Sequence, residues 1–429
     1  MVHSSANADD NVRPPNPPDA ATRPTTAAGP AAKIRILFVD DEPPMLRLLK
    51  TGMRSMAAQW EMEFAGSGEE ALTLVKQKPF DVIVTDMRMS GMNGAQLLNH
   101  VQRLHPQTIR IILSGYMELG DAISSVGLTH QCLAKPCTLE ELKNCLQRVT
   151  EVKSRVPNEK ICALTGGLKN LPCLPELCLQ IADALQSPQA STQLIAELAS
   201  QDPALSAKLL QFANSAFFGC TEPVFSVDEA VPVLGVGIIQ ALAMAVPLFT
   251  SFDRKKFPSF PIEQLWHHSA QTGAIGREIF RKDPGNSLLA EQAFTAGILH
   301  DVGKLILADG LPEEYARVFA EACATRTPLL EVEQKHFQTT HAEVGAYLLA
   351  LWGLPIPLVE AVACHYQPHR CGVQQLCLAG AVHIANALQH FQVSHSDIVN
   401  SPVDTDYLQK AGLTRQFETW RAEFMTAAT

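Results

Sequence analysis

Four short apolar runs in the first third of the chain each end in a polar or charged side chain. The runs are IRILFV before Asp40 and Asp41, DVIVT before Asp86, TIRIIL before Ser114, and LA before Lys135. Short runs rich in β-branched residues are typical of buried strands. Because chemistry gathers at the carboxyl ends of strands in a parallel α/β sheet, we expect these side chains to meet at one edge.

Such an edge would combine acids, one lysine and one hydroxyl, a set that suits phosphoryl chemistry. Neighbouring carboxylates repel each other, so a hard divalent cation such as Mg²⁺ is their natural companion. The cation would orient a phosphoryl donor, and Asp86 could attack it as a carboxylate nucleophile. Lys135 would neutralise the phosphoryl oxygens, and Ser114 would hydrogen-bond to one of them. The competing interpretation is a set of unrelated strand-end caps, which the agreement of four strand ends disfavours.

The constellation resembles the receiver domain of two-component response regulators over about Lys33–Thr150. The resemblance implies that a histidine kinase phosphorylates Asp86, with Ser114 as the switch hydroxyl and Lys135 as the phosphoryl-binding lysine. It also implies a Mg²⁺ site formed by the following groups: Asp40, Asp41, Asp86 and the backbone carbonyl of Met87. The Lys135–Pro136 bond is cis in this family, a form that X–Pro bonds adopt at modest cost.

Two positions depart from the receiver pattern. The family usually has an aromatic switch residue three positions before the lysine, where this chain has Cys132. A proline is common four positions after the phosphoacceptor, where this chain has Ser90. We expect neither residue to touch the phosphoryl chemistry, although Cys132 bears on how the phosphorylated state is transmitted.

The order of the apolar runs predicts the fold and the domain boundaries. Five strands alternate with helices, and short loops with right-handed crossovers favour an α/β doubly wound parallel sheet of order 2-1-3-4-5. Helix-period segments without strand-like runs then predict an all-α second domain. We expect the following organisation: a disordered tail (1–32), a receiver domain (33–152), a linker (153–169), a helical domain (170–390) and a C-terminal extension (391–429).

Composition limits the class of protein and its partners. The chain has 429 residues and a net charge of −10, which argues against direct DNA binding because no cationic footprint is present. Its 11 cysteines lack paired metal-binding spacings, and the chain does not begin with a signal peptide, so we expect a reducing cytoplasm. We expect no membrane association, because every long apolar run is interrupted.

Most of the 14 histidines lie in the helical half. The adjacent pair His300-Asp301, placed on a helix, can offer one nitrogen and one oxygen ligand to the same cation. With ligands from other helices, such a site would suit Zn²⁺, Mn²⁺ or Fe and could activate water for phosphoester hydrolysis. The alternative is that each histidine is a hydrogen-bonded interior residue, and the residues alone leave both interpretations open.

The helical half resembles the HDOD domain, a helical output module related to HD-domain phosphohydrolases, over about Cys162–His390. The motifs that carry the resemblance occur in order along the chain: Leu171–Leu174 (LPCL), Ile195–Phe218 (IAELASQDPALSAKLLQFANSAFF), Leu265–Ser269 (LWHHS), Gly297–Leu305 (GILHDVGKL) and Thr340–Cys364, followed by His365. The related HD-GYP enzymes hydrolyse cyclic di-GMP, and their pattern can be matched at six positions: His268, His300, Asp301, Lys304, His341 and His365.

The remainder of the HD-GYP pattern is missing. Tyr366 and Gln367 stand where that branch has a second histidine and a glutamate, and no Gly-Tyr-Pro follows. His383 aligns with the last aspartate of HD enzymes. A lost carboxylate leaves a second metal ion poorly held, which argues against a binuclear hydrolase. The HDOD family is generally treated as a non-catalytic regulatory and interaction module, and this sequence fits that branch.

The sequence therefore predicts a cytoplasmic response regulator. Phosphorylation of Asp86 would change the contact of the receiver with the HDOD domain or with a second protomer in a homodimer. The HDOD domain would then bind a downstream signalling protein. The rival hypothesis is a receiver-gated metal phosphohydrolase acting on a nucleotide or cyclic dinucleotide, with Lys304 contacting phosphate. The retained His-Asp pair favours the rival, and the departures after His365 oppose it.

Overall fold

The computed structural model describes residues 33–115, 128–154, 156, 158–168, 172–173, 180–181, 184, 191–215, 222–235, 239, 250–251, 262–282, 287–372, 375–392 and 403–426. The predicted disordered tail, 1–32, lies outside these ranges. Within them, no helix combines the length and the apolar character needed to cross a lipid bilayer.

A five-stranded parallel sheet forms the first domain, and its order β2-β1-β3-β4-β5 confirms the predicted topology. Its strands are β1 (Ile34–Val39), β2 (Trp60–Ala65), β3 (Val82–Asp86), β4 (Ile109–Ser114) and β5 (Gln131–Ala134). The central strand β3 pairs with β1 on one side and β4 on the other. Its apolar residues are buried because helices cover both faces of a parallel sheet. Asp86 therefore lies in the middle of the carboxyl edge.

Four described helices flank this sheet: α1 (Pro43–Gly52), α2 (Gly68–Gln77), α3 (Gly94–Leu104) and α4 (Leu139–Ser154). Ser67 caps α2 by accepting from the backbone N–H of Glu70. Asn93 and Gln96 form a capping box that starts α3 directly after the loop that follows β3. The Lys135–Pro136 bond is cis, as the receiver resemblance implied.

The predicted linker contains a packed helix, α5 (Glu159–Gly167). Asn158 caps it and also donates from Nδ2 to the carbonyl of Phe337 in the second domain at 3.0 Å. At its other end, the carbonyl of Gly166 accepts from the guanidinium of Arg110 in β4 at 2.8 Å. The segment is therefore a helix held by both domains, which its polar, glycine-containing sequence did not indicate.

The second domain is mostly helical. Its helices are α6 (Thr192–Ala199), α7 (Pro203–Ala213), α8 (Val227–Leu234), α9 (Ile262–Arg281), α10 (Ser287–Leu299), α11 (Val302–Gly310), α12 (Pro312–Thr325), α13 (Leu329–Phe337), α14 (His341–Leu351), α15 (Ile356–Cys364) and α16 (Leu378–Gln392). One parallel pair of two-residue strands, β6 (Pro172–Cys173) and β7 (Thr250–Ser251), is an exception to the all-α expectation.

The predicted C-terminal extension contributes two further helices, α17 (Thr405–Lys410) and α18 (Thr414–Thr426). Tyr407 is buried, and its hydroxyl donates to the carbonyl of Gln375 at 3.0 Å. The tyrosine ring packs where Gly380 of α16 leaves room, since an added Cβ there would overlap the hydroxyl. The extension is thus packed against the helical domain.

Candidate functional site

The carboxyl edge of the receiver sheet brings the predicted phosphoryl residues together. Asp40 and Asp41 follow β1 and Asp86 ends β3, and one carboxylate oxygen of each lies within 4.8 Å of the others. Lys135, directly after β5, places Nζ 2.9 Å from Asp40 Oδ2 and 3.1 Å from Asp86 Oδ1. The edge therefore holds three acids and one ammonium group in a single pocket.

Burial and the neighbouring charges have opposite effects on the pKa values of Asp86 and Lys135. Asp86 is partly buried, and the loss of solvent raises its pKa, an effect that the charge of Lys135 partly offsets. Burial also acts against the charged form of Lys135. The hydrogen bond to Asp40 and the charge of Asp86 nevertheless raise the pKa of Lys135 overall. The lysine thus stays cationic between the two acids.

Met87 and Ser114 lie beside the acids. The backbone N–H of Met87 donates to Asp86 Oδ1 at 2.8 Å. Its carbonyl accepts from the N–H of Gly94 at 3.0 Å and keeps a second lone pair for a cation. Ser114 is buried at the end of β4, and Leu113 just before it pairs with Asp86. Both residues are therefore adjacent to the phosphoacceptor candidate.

Ser90 contacts one acid of the pocket, a contact that its departure from the receiver pattern did not indicate. Its backbone N–H and its hydroxyl both donate to Asp41 Oδ2, at 2.8 and 3.0 Å. The N–H bond is the main factor that lowers the pKa of Asp41. Proline, which is common at this position in the family, has no N–H and no hydroxyl and could form neither bond. Ser90 therefore orients one of the three acids.

In the helical domain, four histidines converge on one aspartate. His268 belongs to α9, His300 follows α10, His341 begins α14 and His365 follows α15. Their Nε2 atoms lie at these distances from the carboxylate oxygens of Asp301: 3.7 Å for His268, 3.3 Å for His300, 3.3 Å for His341 and 4.0 Å for His365. All the predicted metal ligands of this domain are thus brought together.

The His300-Asp301 pair lies between two helices, which corrects the prediction that it lies on one. Helix α10 ends at Leu299 and α11 begins at Val302. Asp301 occupies the N-cap position of α11 but makes no side-chain cap bond. Its carboxylate instead faces the histidines and accepts from Lys304 Nζ at 2.6 Å. Burial acts against the charged aspartate, but His300 and Lys304 hold its pKa well below the ordinary value.

The second ring nitrogen of each histidine is fixed by an oxygen acceptor. The Nδ1 atoms lie 2.9 Å from Gln389 Oε1 for His268, 2.6 Å from the Gly297 carbonyl for His300, 2.7 Å from Glu333 Oε2 for His341 and 2.7 Å from the Val362 carbonyl for His365. Carbonyl and carboxylate oxygens accept only, so each Nδ1 carries the proton. Each ring therefore directs its Nε2 atom towards the centre, the orientation that metal-ligating histidines adopt.

The centre has unmet acceptors within the described part of the chain. Asp301 Oδ1, His341 Nε2 and His365 Nε2 are buried and make no hydrogen bond there. A buried polar atom without a partner costs about 1–3 kcal/mol. One cation would satisfy all three atoms, and a mixed imidazole and carboxylate set suits Zn²⁺, Mn²⁺ or Fe. The donor set therefore fits a transition-metal ion.

Sequence reasoning missed Glu333, which holds His341 in place. Glu333 is fully buried and accepts from the backbone N–H of His341 at 2.8 Å, from its Nδ1 at 2.7 Å and from the Tyr315 hydroxyl at 2.7 Å. Burial acts against the charged ring, but the Glu333 carboxylate raises the pKa of His341. The feature of the sequence that could have indicated Glu333 is its position next to Val332 on the apolar face of α13.

The residues that depart from the hydrolase pattern add no ligand to the centre. His383 uses both ring nitrogens elsewhere, with Nδ1 2.9 Å from the His365 carbonyl and Nε2 accepting from the N–H of Asp404 at 2.9 Å. The ring of Tyr366 packs 4.1 Å from that of His365, and Gln367 is exposed. A second ion would find no carboxylate at His383.

Two family models match successive parts of this chain. The family model described as a response regulator receiver domain matches residues 36–147, and the one described as an HDOD domain matches residues 171–368. The solved structure of the MmoQ response regulator from Methylococcus capsulatus is 26% identical and covers 60% of this chain and 98% of its own, with a TM-score of 0.46.

Curated relatives match parts of the chain. An uncharacterized protein from Treponema pallidum is 29% identical over 214 residues, which are 48% of this chain and 40% of that protein. The transcriptional regulatory protein GlrR from Escherichia coli is 29% identical over 126 residues, 29% of this chain and 28% of that protein. The chain therefore spans less than half the length of either relative.

Proposed function

We propose that this chain, a response regulator with a receiver domain followed by an HDOD output domain, is controlled by phosphorylation of Asp86. A histidine kinase would supply the phosphoryl group. The observation that carries the proposal is the convergence of Asp40, Asp41, Asp86 and Lys135 at the carboxyl edge of the sheet.

The chemistry at this edge is a transfer between two proteins. The P–N bond of the phosphohistidine breaks, and a P–O bond forms to a carboxylate oxygen of Asp86. A Mg²⁺ ion, held by the three acids and the Met87 carbonyl, would supply the positive charge that screens the incoming group from the carboxylates. Lys135 would bind the transferred oxygens, and Ser114 would donate a hydrogen bond to one of them.

The test is labelling of the full chain by a small phosphodonor, followed by intact mass measurement. We expect one phosphoryl group on the wild type and none on Asp86→Asn. Asp81→Asn is the matched control, because Asp81 lies at the other end of the same strand and pairs with Lys153 at 3.0 Å. Labelling that persists in Asp86→Asn would defeat the assignment.

In this proposal, the HDOD domain binds another signalling protein, and the His-Asp centre holds a single transition-metal ion. The ligands would be the Nε2 atoms of the four histidines and the carboxylate of Asp301. The lone pairs of three buried atoms without a hydrogen-bond partner, Asp301 Oδ1, His341 Nε2 and His365 Nε2, support the ion. The rival function, metal-dependent phosphoester hydrolysis, is supported by the same lone pairs and opposed by the engagement of both His383 nitrogens.

Two measurements on the full chain separate these functions. Elemental mass spectrometry without chelators is expected to give about one Fe, Mn or Zn per chain, lost when His300 and Asp301 are both changed to alanine. Incubation of the loaded protein with a cyclic dinucleotide is expected to give no hydrolysis. Metal-dependent product formation that disappears in the same variant would establish the hydrolase instead.

A further inference from the structure

One helix reaches from the His-Asp centre to the receiver domain. The first residue of α14 is His341, whose Nε2 lies 3.3 Å from Asp301 Oδ1. In its last turn, the carbonyl of Ala350 accepts from Nε2 of the receiver residue Gln131 at 2.8 Å. Nine residues of α-helix span about 14 Å. One end of this helix therefore lies at the His-Asp centre, and the other end contacts the receiver domain.

The receiver holds its end of the helix through a fixed amide. Gln131 begins β5 and is buried. Its Oε1 accepts from the thiol of Cys145 at 2.9 Å and from the guanidinium of Arg148 at 3.4 Å, both on α4. These bonds orient the amide so that its NH₂ group points at Ala350. The side chain is thus part of the receiver and not a mobile surface group.

A second contact joins the middle of α14 to the receiver. Tyr347 is buried one turn before Ala350. Around it, α14 packs against helix α4 of the receiver and against α5. Burial raises the pKa of Tyr347 well above its ordinary value, so the hydroxyl stays neutral. The helix therefore meets the receiver through packing contacts as well as through the Gln131 hydrogen bond.

At the centre, α14 is in backbone contact with the helix that follows Asp301. A Cβ added to Gly303 of α11 would lie 1.9 Å from the carbonyl of His341 and 2.9 Å from the N–H of Gly345. The backbones of the two helices therefore approach closely at Gly303, where no side chain separates them. A shift of α14 would therefore act on His341 and on the helix that begins beside Asp301.

The same strand that holds α14 leads to the phosphoryl pocket. Lys135 follows β5, four residues after Gln131, and contacts Asp40 and Asp86. Four extended residues span about 13 Å. A phosphoryl group on Asp86 would attract the ammonium group of Lys135. If β5 shifts as a result, the movement would be transmitted to Ala350 through its hydrogen bond with the Gln131 amide.

We propose that Gln131 and helix α14 couple the two sites, so that occupation of the phosphoryl pocket changes metal affinity at the His-Asp centre. The inference rests on the proposed roles of Asp86 and of that centre. Couplings of this kind are typically 5- to 150-fold in affinity, and they are reciprocal. We therefore expect a change of at least fivefold, equal in both directions of measurement.

The test uses the full chain, Co²⁺ as an optical probe of the centre, and beryllofluoride as a stand-in for the phosphoryl group. Saturating Mg²⁺ is present throughout, so that only beryllofluoride differs between the arms. We expect the Co²⁺ dissociation constant of the wild type to change at least fivefold when beryllofluoride is added. Asp86→Asn should bind Co²⁺ without this response.

Gln131→Leu removes the donor to Ala350 and is expected to bind both probes while reducing the change to below twofold. Gln77→Leu is the matched control, because Gln77 is an exposed receiver residue at the end of α2, and it should keep the full change. The reverse measurement in the wild type, beryllofluoride affinity with and without Co²⁺, must give the same factor, which keeps the test independent of any variant.

The outcomes separate the coupling from the functions on which it rests. Absence of Co²⁺ binding by the wild type overturns the metal centre and the coupling with it. Absence of a beryllofluoride effect on a wild type that binds both probes overturns the coupling alone. A full response that persists in Gln131→Leu also overturns the route through this side chain.

Discussion

Replacing Arg110 with methionine is expected to release helix α5 from the receiver sheet. Arg110 is 1% exposed although it carries a charge. Its guanidinium donates to four backbone carbonyls at 2.5–3.2 Å, those of Pro106, Thr108, Leu128 and Gly166. Only Gly166 belongs to α5, and the other three acceptors lie in the receiver domain.

The size of the effect on α5 follows from that single bond. A hydrogen bond from a charged group contributes about 1.5–3 kcal/mol. Methionine fills much of the same volume but donates nothing, so the Gly166 carbonyl loses this donor. Since 1.4 kcal/mol is about a factor of ten in an equilibrium constant, local opening of α5 should become about 10- to 150-fold more populated.

Hydrogen–deuterium exchange of residues 159–167, followed by mass spectrometry, measures this opening directly. We expect the amides of α5 to exchange about 10- to 150-fold faster in Arg110→Met. Arg103→Met is the control, because Arg103 is exposed on α3, and its exchange in α5 should equal that of the wild type. Unchanged protection of α5 in a folded Arg110→Met protein would refute the reasoning.

Three further changes test the packing around the two sites. Gly303→Ala places a Cβ 1.9 Å from a backbone carbonyl of α14 and should lower the free energy of unfolding by about 1–3 kcal/mol or more in thermal denaturation. Gly115→Ala, where an added Cβ meets nothing within 4 Å, should be near neutral. Glu333→Gln should weaken Co²⁺ binding about 10- to 100-fold, because an outer-shell carboxylate orients the ligand His341; an unchanged titration would contradict this. Burial and the neighbouring guanidinium lower the pKa of His130, so below about pH 6.5 the unfolded chain takes up a proton that the folded one does not. The wild type should therefore lose stability there relative to His130→Gln, and parallel pH curves for the two proteins would argue against it.

The receiver sheet was predictable because its local signals agree. Four of the five strands come from apolar runs that lead directly to a polar residue, and one sheet order brings Asp40, Asp86 and Lys135 to the same edge. Ser90 was misjudged because its role depends on the loop conformation that points its N–H at Asp41. No periodicity in a sequence reports the direction of a loop amide.

The helical domain was predictable at the level of helices but not at their boundaries. The His300-Asp301 pair was expected on a helix because the apolar pattern continues without a glycine or proline at either residue. The break is set by tertiary contacts, since Asp301 points into a cluster drawn from three other parts of the fold. Helix α5 was missed for a related reason, because its burial depends on the approach of Gly166 to the carbonyl of Pro106, where a Cβ would lie 2.6 Å away.

The position of His383 indicates what the centre can do without hydrolysis. Its Nε2 accepts from the N–H of Asp404, the residue that caps α17, and its Nδ1 lies 2.9 Å from the carbonyl of His365. The position that an HD enzyme uses for a ligand carboxylate is here used to attach the C-terminal helices. The remaining groups, four histidines and Asp301, come from elements far apart in the chain. An ion bound to them would cross-link α9, α11 and α14, and α14 continues to the receiver. In our proposal, a centre built in this way would act by holding helices in one arrangement, a role that requires no turnover.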